Sequence, residues 1–113
     1  MTMEYMCLFY AAEDAEISPT AFEECIEVAQ KAQQAGAMRD ARGLEDPSSA
    51  TTVRVRNGKR FLTDGPFAET KEVLTGFFML ECKSLDEAIE WAAQLPPSRY
   101  GCVEVRPVRA LEP

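Results

Sequence analysis

The 113-residue chain reads as one α+β domain, an antiparallel sheet with two helices on one face and a β-hairpin inserted midway. Three observations predict it. Two runs, Met3–Tyr10 and Val73–Cys82, are apolar at almost every position, as strands covered on both faces are. Two other segments each carry one apolar stripe at helical spacing. Between them Asn57-Gly58 separates two alternating runs, the preferred pattern of a two-residue hairpin turn. The order is β-α-β, hairpin, β-α-β, and a single domain spanning 1–113 at 12.6 kDa can bury a core without staples.

Taken in order, Met3–Tyr10 is the first strand. Ser18-Pro19 supplies an N-cap and a proline at the first helical position. Phe22, Cys25, Ile26, Ala29 and Ala32 then recur at i, i+3, i+4, i+7, and Gly36 closes the helix. A weak extended segment, Ala37–Leu44, leads to a polar loop at Glu45–Ser49. The Asn57-Gly58 turn fixes a register in which Arg56 faces Lys59, Val55 faces Arg60, Arg54 faces Phe61, Val53 faces Leu62 and Thr52 faces Thr63. Gly76, early in the Val73–Cys82 strand, marks a bulge or the close approach of another backbone. Ser84 and Glu87 form a capping box ahead of a stripe at Leu85, Ala88, Ile89, Ala92 and Leu95. Pro96-Pro97 ends that helix, and Cys102–Val108 is the last strand, expected in the middle of the sheet. Two single-stripe helices cover only one sheet face, so the second apolar face is expected to be covered by another copy, sheet against sheet.

Composition narrows the function classes. A net charge of −7 and a pI near 4.6 argue against nucleic-acid binding, which needs clustered Lys and Arg. There is no 18-residue apolar run and no basic-then-apolar leader, so no membrane association and a cytoplasmic location are expected. Cys7, Cys25, Cys82 and Cys102 are widely spaced and read as reduced thiols. The chain contains no His, which removes Ser-His-Asp and Cys-His machinery and the commonest zinc and iron ligand. No metal or cofactor is expected, and any proton transfer falls to carboxylates, tyrosines or lysines.

The candidate site is Thr63-Asp64-Gly65-Pro66-Phe67-Ala68-Glu69-Thr70-Lys71-Glu72. Asp64 precedes a Gly65-Pro66 corner, and ionisable groups including Lys71 follow at once. Two roles are open for Asp64. It either caps the turn by accepting backbone N–H bonds, or acts as a general acid or base in a partly dry pocket. Phe67 is expected to plug the core beneath the corner. Arg54, with Arg56 and Lys59 on one ribbon face, is either a solvated charge or an anion contact. Glu104 and Arg106 share a strand face opposite Val103 and Val105, which turns them towards the face away from the helices. There they form an interface ion pair or line a cleft for a small anionic or carbonyl-bearing molecule. Tyr5 and Tyr10 lie on opposite faces of the first strand, and either could add a hydroxyl.

The T-D-G-P-F-A-E-T-K-E run, the strand Gly76–Glu81, Leu95-Pro96-Pro97 and Gly101–Pro107, with the opening Tyr5–Tyr10, resemble the DGPF branch of the YCII-related proteins. The resemblance spans nearly the whole chain. It implies a ferredoxin-like βαββαβ unit with the hairpin as an insert, dimerising through its sheets as a dimeric α+β barrel. Relatives carry a His–Asp pair proposed as catalytic by kinship with muconolactone isomerase-like enzymes; here only the aspartate, Asp64, has a counterpart. DGPF-type members are often encoded beside extracytoplasmic-function sigma factors, which implies a regulatory or stress association. Two functions follow: a dimeric small-molecule-binding module with a polar cleft around Asp64, Tyr5, Arg54, Gly65, Pro66, Lys71, Glu104 and Arg106, or a cofactor-independent isomerase or lyase using Asp64 as acid or base.

Overall fold

The computed structural model describes residues 1–112. Its main sheet has four strands, β1 (Met3–Ala12), β2 (Met38–Gly43), β5 (Glu72–Cys82) and β6 (Cys102–Pro107), in the order β2-β5-β1-β6. Each neighbouring pair is antiparallel, which is the ferredoxin-like arrangement. Strands β3 (Thr51–Arg56) and β4 (Lys59–Asp64) pair only with each other, as a separate ribbon between β2 and β5. Helices α1 (Ala21–Gln34), α2 (Leu85–Gln94) and the short α3 (Pro97–Tyr100) complete the chain. Strand β6 lies at an edge of the sheet, not in its middle, because β1 takes the central place beside β5.

Strand alternation divides the sheet into two faces. Tyr5, Cys7 and Phe9 of β1 and Phe78, Leu80 and Cys82 of β5 are buried in one core with Val28, Ala32, Ala88, Ala92 and Leu95 of the helical layer. The Phe9 and Phe78 rings meet edge to face at 5.3 Å between centroids. Met6, Leu8, Phe77 and Met79 point the other way and are only half-buried. Among the described residues no third layer covers them: the molecule is only 18 Å thick, against 47 and 43 Å across. Its radius of gyration is 16.0 Å, whereas about 13 Å is usual for a compact chain of this length.

Local signals explain most boundaries. At the end of α1, Gly36 has φ 77° and donates its N–H to Gln33, while Ala37 donates to Ala32, the paired bonds of a Schellman ending. The start of α1 differs from expectation. Thr20, not Ser18, is the N-cap residue, and the Ser18 hydroxyl instead accepts from the Thr20 N–H. The buried stripe is correspondingly Ala21, Val28 and Ala32, leaving Phe22 and Ile26 exposed at 74% and 43%. Ser84 caps α2 by accepting from the Glu87 N–H at 3.2 Å. The Glu87 carboxylate returns to the Lys83 N–H, one residue before the position a capping box uses. Pro97 begins the four-residue α3 rather than merely ending α2.

Candidate functional site

The insert presents the T-D-G-P-F segment. Asn57 and Gly58 both have positive φ, 53° and 75°, as a type I′ turn requires. Every expected cross-strand pair is present, and a further pair, Thr51 with Asp64, closes the ladder. Alternation then decides where Asp64 points. It shares a face with Arg60, Leu62, Val53 and Val55, while Arg54, Arg56 and Lys59 occupy the other. Asp64 is therefore turned away from the arginine face.

The corner after Asp64 is held by other groups. The Gly65 N–H donates to the Ala50 carbonyl at 2.6 Å, and the Thr52 hydroxyl donates to the Gly65 carbonyl at 2.9 Å. The Asp64 side chain is exposed and has no hydrogen-bond or ion-pair partner among the described residues. In the single chain it therefore accepts no backbone N–H of the turn and is not buried. The expectation for Phe67 is corrected, since it is 74% exposed rather than plugged into the core. Its carbonyl accepts from the Arg54 guanidinium at 3.3 Å, which ties the ribbon to the segment beyond the corner.

Beside this corner lies a cleft of about 780 Å³. The segment after β4 forms one wall with Pro66, Phe67, Ala68 and Thr70; the loop after β2 forms another with Leu44, Glu45 and Asp46. Tyr10, Glu72 and Leu74, at the end of the sheet, form its floor. Three carboxylates line it (Glu45, Asp46 and Glu72) and no Lys or Arg does. Asp46 is committed to structure. It accepts the Ser48 N–H at 2.9 Å to cap a 3₁₀ turn at Pro47–Ser49, and that bond holds its carboxyl below the ordinary value of 3.8.

Of the expected site residues only Pro66 lines this cleft; Asp64, Gly65, Arg54, Lys71, Glu104 and Arg106 do not. Glu104 and Arg106 do share the face away from the helices, opposite Leu8 and Met6 of β1. Their side chains pair at 2.9 Å, and the Glu104 hydrogen bond and charge hold the Arg106 guanidinium above its ordinary value. The Tyr10 hydroxyl donates to the second Glu104 oxygen at 3.5 Å, the outer limit of a hydrogen bond. Tyr10 thus joins the ion pair to the cleft. Tyr5 does not: it is buried under the helices, because odd-numbered residues of β1 face the core.

Sequence reasoning included Glu72 in the candidate run but missed Glu45, and alternation in their own segments cannot bring the two to one cleft. It also missed a second cavity of about 480 Å³ beneath α1, lined by Phe9, Phe22, Cys25, Ile26, Phe78 and Tyr100 among others. Two apolar residues in excess of the buried α1 stripe, Phe22 and Ile26, were its available signal. Burial raises both the Cys25 thiol and the Tyr100 phenol above their ordinary values, so neither is an activated nucleophile. Among the described residues no group of three or more His, Cys, Asp or Glu is placed to hold a metal ion, and no helix is long and apolar enough to cross a membrane.

Comparison with known proteins agrees with this architecture. The YCII-related domain matches residues 3–112. An uncharacterized protein of Rhizobium meliloti (strain 1021) is 42% identical over 88 residues, covering 76% of this chain and 71% of that protein. The order β2-β5-β1-β6, the helices confined to one face and the match over nearly all the described residues lead to one assignment: the chain belongs to the YCII-related domain family.

Proposed function

We propose that this protein is a small-molecule-binding module, with its ligand held in the cleft between the T-D-G-P-F segment and the end of the sheet. The observation that carries the reading is the composition of one wall. Pro66, Phe67, Ala68 and Thr70 all line the cleft, so the segment most distinctive in sequence shapes a concave surface. On the same run of residues we place the protein in the DGPF branch of its family. Glu45 and Glu72 without a facing Lys or Arg disfavour an anion and suit a neutral carbonyl-bearing or a cationic molecule. The alternative, an isomerase or lyase with Asp64 as acid or base, requires Asp64 at the reacting atoms, and Asp64 is not among the residues that line the cleft.

The open sheet face supports the other half of the reading, that the module is a homodimer. Met6, Leu8, Phe77 and Met79 lie there with the Glu104–Arg106 pair, and a second copy packed sheet on sheet would bury them. Light scattering at micromolar concentration is then expected to give twice the 12.6 kDa chain mass, and a monomer would overturn the dimer. For the cleft, wild type and Phe67→Ala are compared in thermal-shift titrations against small carbonyl compounds, amines and carboxylates. Stabilisation of wild type by a carbonyl compound or amine, lost in the variant, is expected. Equal shifts in both proteins, or stabilisation by carboxylates alone, would refute the assignment.

A further inference from the structure

The β3–β4 ribbon stands apart from the sheet, and one of its faces is apolar in the middle and oppositely charged at its ends. Three cross-strand rungs make that face: Thr51 with Asp64 at the base, Val53 with Leu62 in the middle, and Val55 with Arg60 near the turn. Val53, Val55 and Leu62 are 58%, 58% and 60% exposed. A two-stranded ribbon alone is marginally stable in water and gains from a cover on its apolar side. Neither Asp64 nor Arg60 has a side-chain partner among the described residues. They cannot serve each other within one chain, because four residues of extended strand separate them by about 13 Å.

We propose that this ribbon face is a self-complementary docking surface and that a second copy of the chain occupies it. Two such faces pack antiparallel about a two-fold axis through their Val53–Leu62 rungs. Leu62 then meets Leu62 of the second copy, and Asp64 of each copy meets Arg60 of the other. The parallel alternative sets Arg60 against Arg60 and Asp64 against Asp64, so charge selects the antiparallel pairing. The turn residues of the second copy overhang the Thr51–Asp64 rung in the direction of Ala50 and Gly65. The second copy thereby overlies Thr51 and Val53, which also line the cleft.

This pairing is independent of what covers the open sheet face. The patch is far smaller than the roughly 800 Å² per partner of a stable interface, so it is tested by trapping rather than by mass. Leu62→Cys and Phe61→Cys, each in a Cys25→Ser, Cys102→Ser background, are treated with a short bismaleimide. Both positions are exposed, but only Leu62 lies on the proposed face. Covalent dimer is expected about tenfold faster from Leu62→Cys, and adding Arg60→Asp or Asp64→Arg is expected to slow it by a similar factor of about ten. Mixing the two slowed variants restores the rate, because their charges are complementary between chains. Equal rates at positions 61 and 62 would overturn the proposal. So would charge variants that cross-link as fast as their parent, or a mixture that stays slow.

Discussion

Gly101 offers the sharpest test of how the site is positioned. It follows α3 and precedes β6, where the chain passes against the end of β1 that carries Tyr10. Its φ of −149° lies outside the left-handed region, so the constraint there is space. A Cβ on Gly101 would fall inside the van der Waals shell of the Tyr10 carbonyl oxygen, 2.9 Å from its carbon and 3.0 Å from Ala11 Cα. These are backbone atoms of the central strand, and Tyr10 pairs with Leu74 on one side and Cys102 on the other. They cannot swing away as a side chain would. Gly101→Ala is therefore expected near the upper end of overpacking costs, about 3 kcal/mol. For a chain of this length that is a fall of about 12 °C in melting temperature. Gly76→Ala, whose Cβ would lie 2.7 Å from the Arg42 carbonyl oxygen, is expected to cost less, and Gly43→Ala, with nothing within 4 Å, to stay within about 2 °C of wild type. Scanning calorimetry of the three variants checks the ranking. A Gly101→Ala protein melting within about 2 °C of wild type would refute the reasoning.

Three further outcomes are expected. Ser84→Ala removes the acceptor for the Glu87 N–H and should lower stability by about 1 kcal/mol in urea unfolding, without a change in the slope. Asp46 has a folded pKa below its ordinary 3.8, so its contribution is present above that value and lost as pH falls through the folded one. Asp46→Asn should accordingly narrow the stability difference between pH 7 and pH 3, read by thermal melts at each pH. Burial first, and then the neighbouring Cys82, raise the Cys7 thiol from 9.0 to about 11. Its contribution is complete below pH 9 and lost as pH rises towards 11, so Cys7→Ala should flatten the stability loss across that window.

Much of the fold was legible because its signals are local. Asn57-Gly58 dictated a turn whose two positive φ values set the ribbon register residue by residue, and strand parity put Glu104 and Arg106 on the face away from the helices. What parity could not show was which of the two first-strand tyrosines lay outside, since a strand apolar on both faces gives no inward direction. Tyr10 rather than Tyr5 reaches Glu104 and the cleft. Asp64 illustrates a different limit. Its sequence neighbours suggested a capped turn, but the Gly65 N–H found the Ala50 carbonyl instead, a contact set by how the loop before β3 folds back. Glu45 and Glu72 meet only because the insert returns the chain to the end of the sheet, which no spacing in the sequence encodes.

The irregularity in β5 has a further consequence. Phe9 pairs with Gly76 but Tyr10 pairs with Leu74, so Thr75 is one residue more than β1 can match. From Gly76 to Cys82 the even-numbered residues are buried, whereas Leu74, also even, is exposed. One surplus residue thus reverses the sidedness of everything before it, including the junction with the T-D-G-P-F segment. The aim of the insert is encoded by strand length as much as by side-chain chemistry. Were the bulge absorbed so that Thr75 itself paired with Tyr10, Leu74 would fall opposite Ala11 and turn towards the helices, carrying the cleft wall to the wrong side of the sheet.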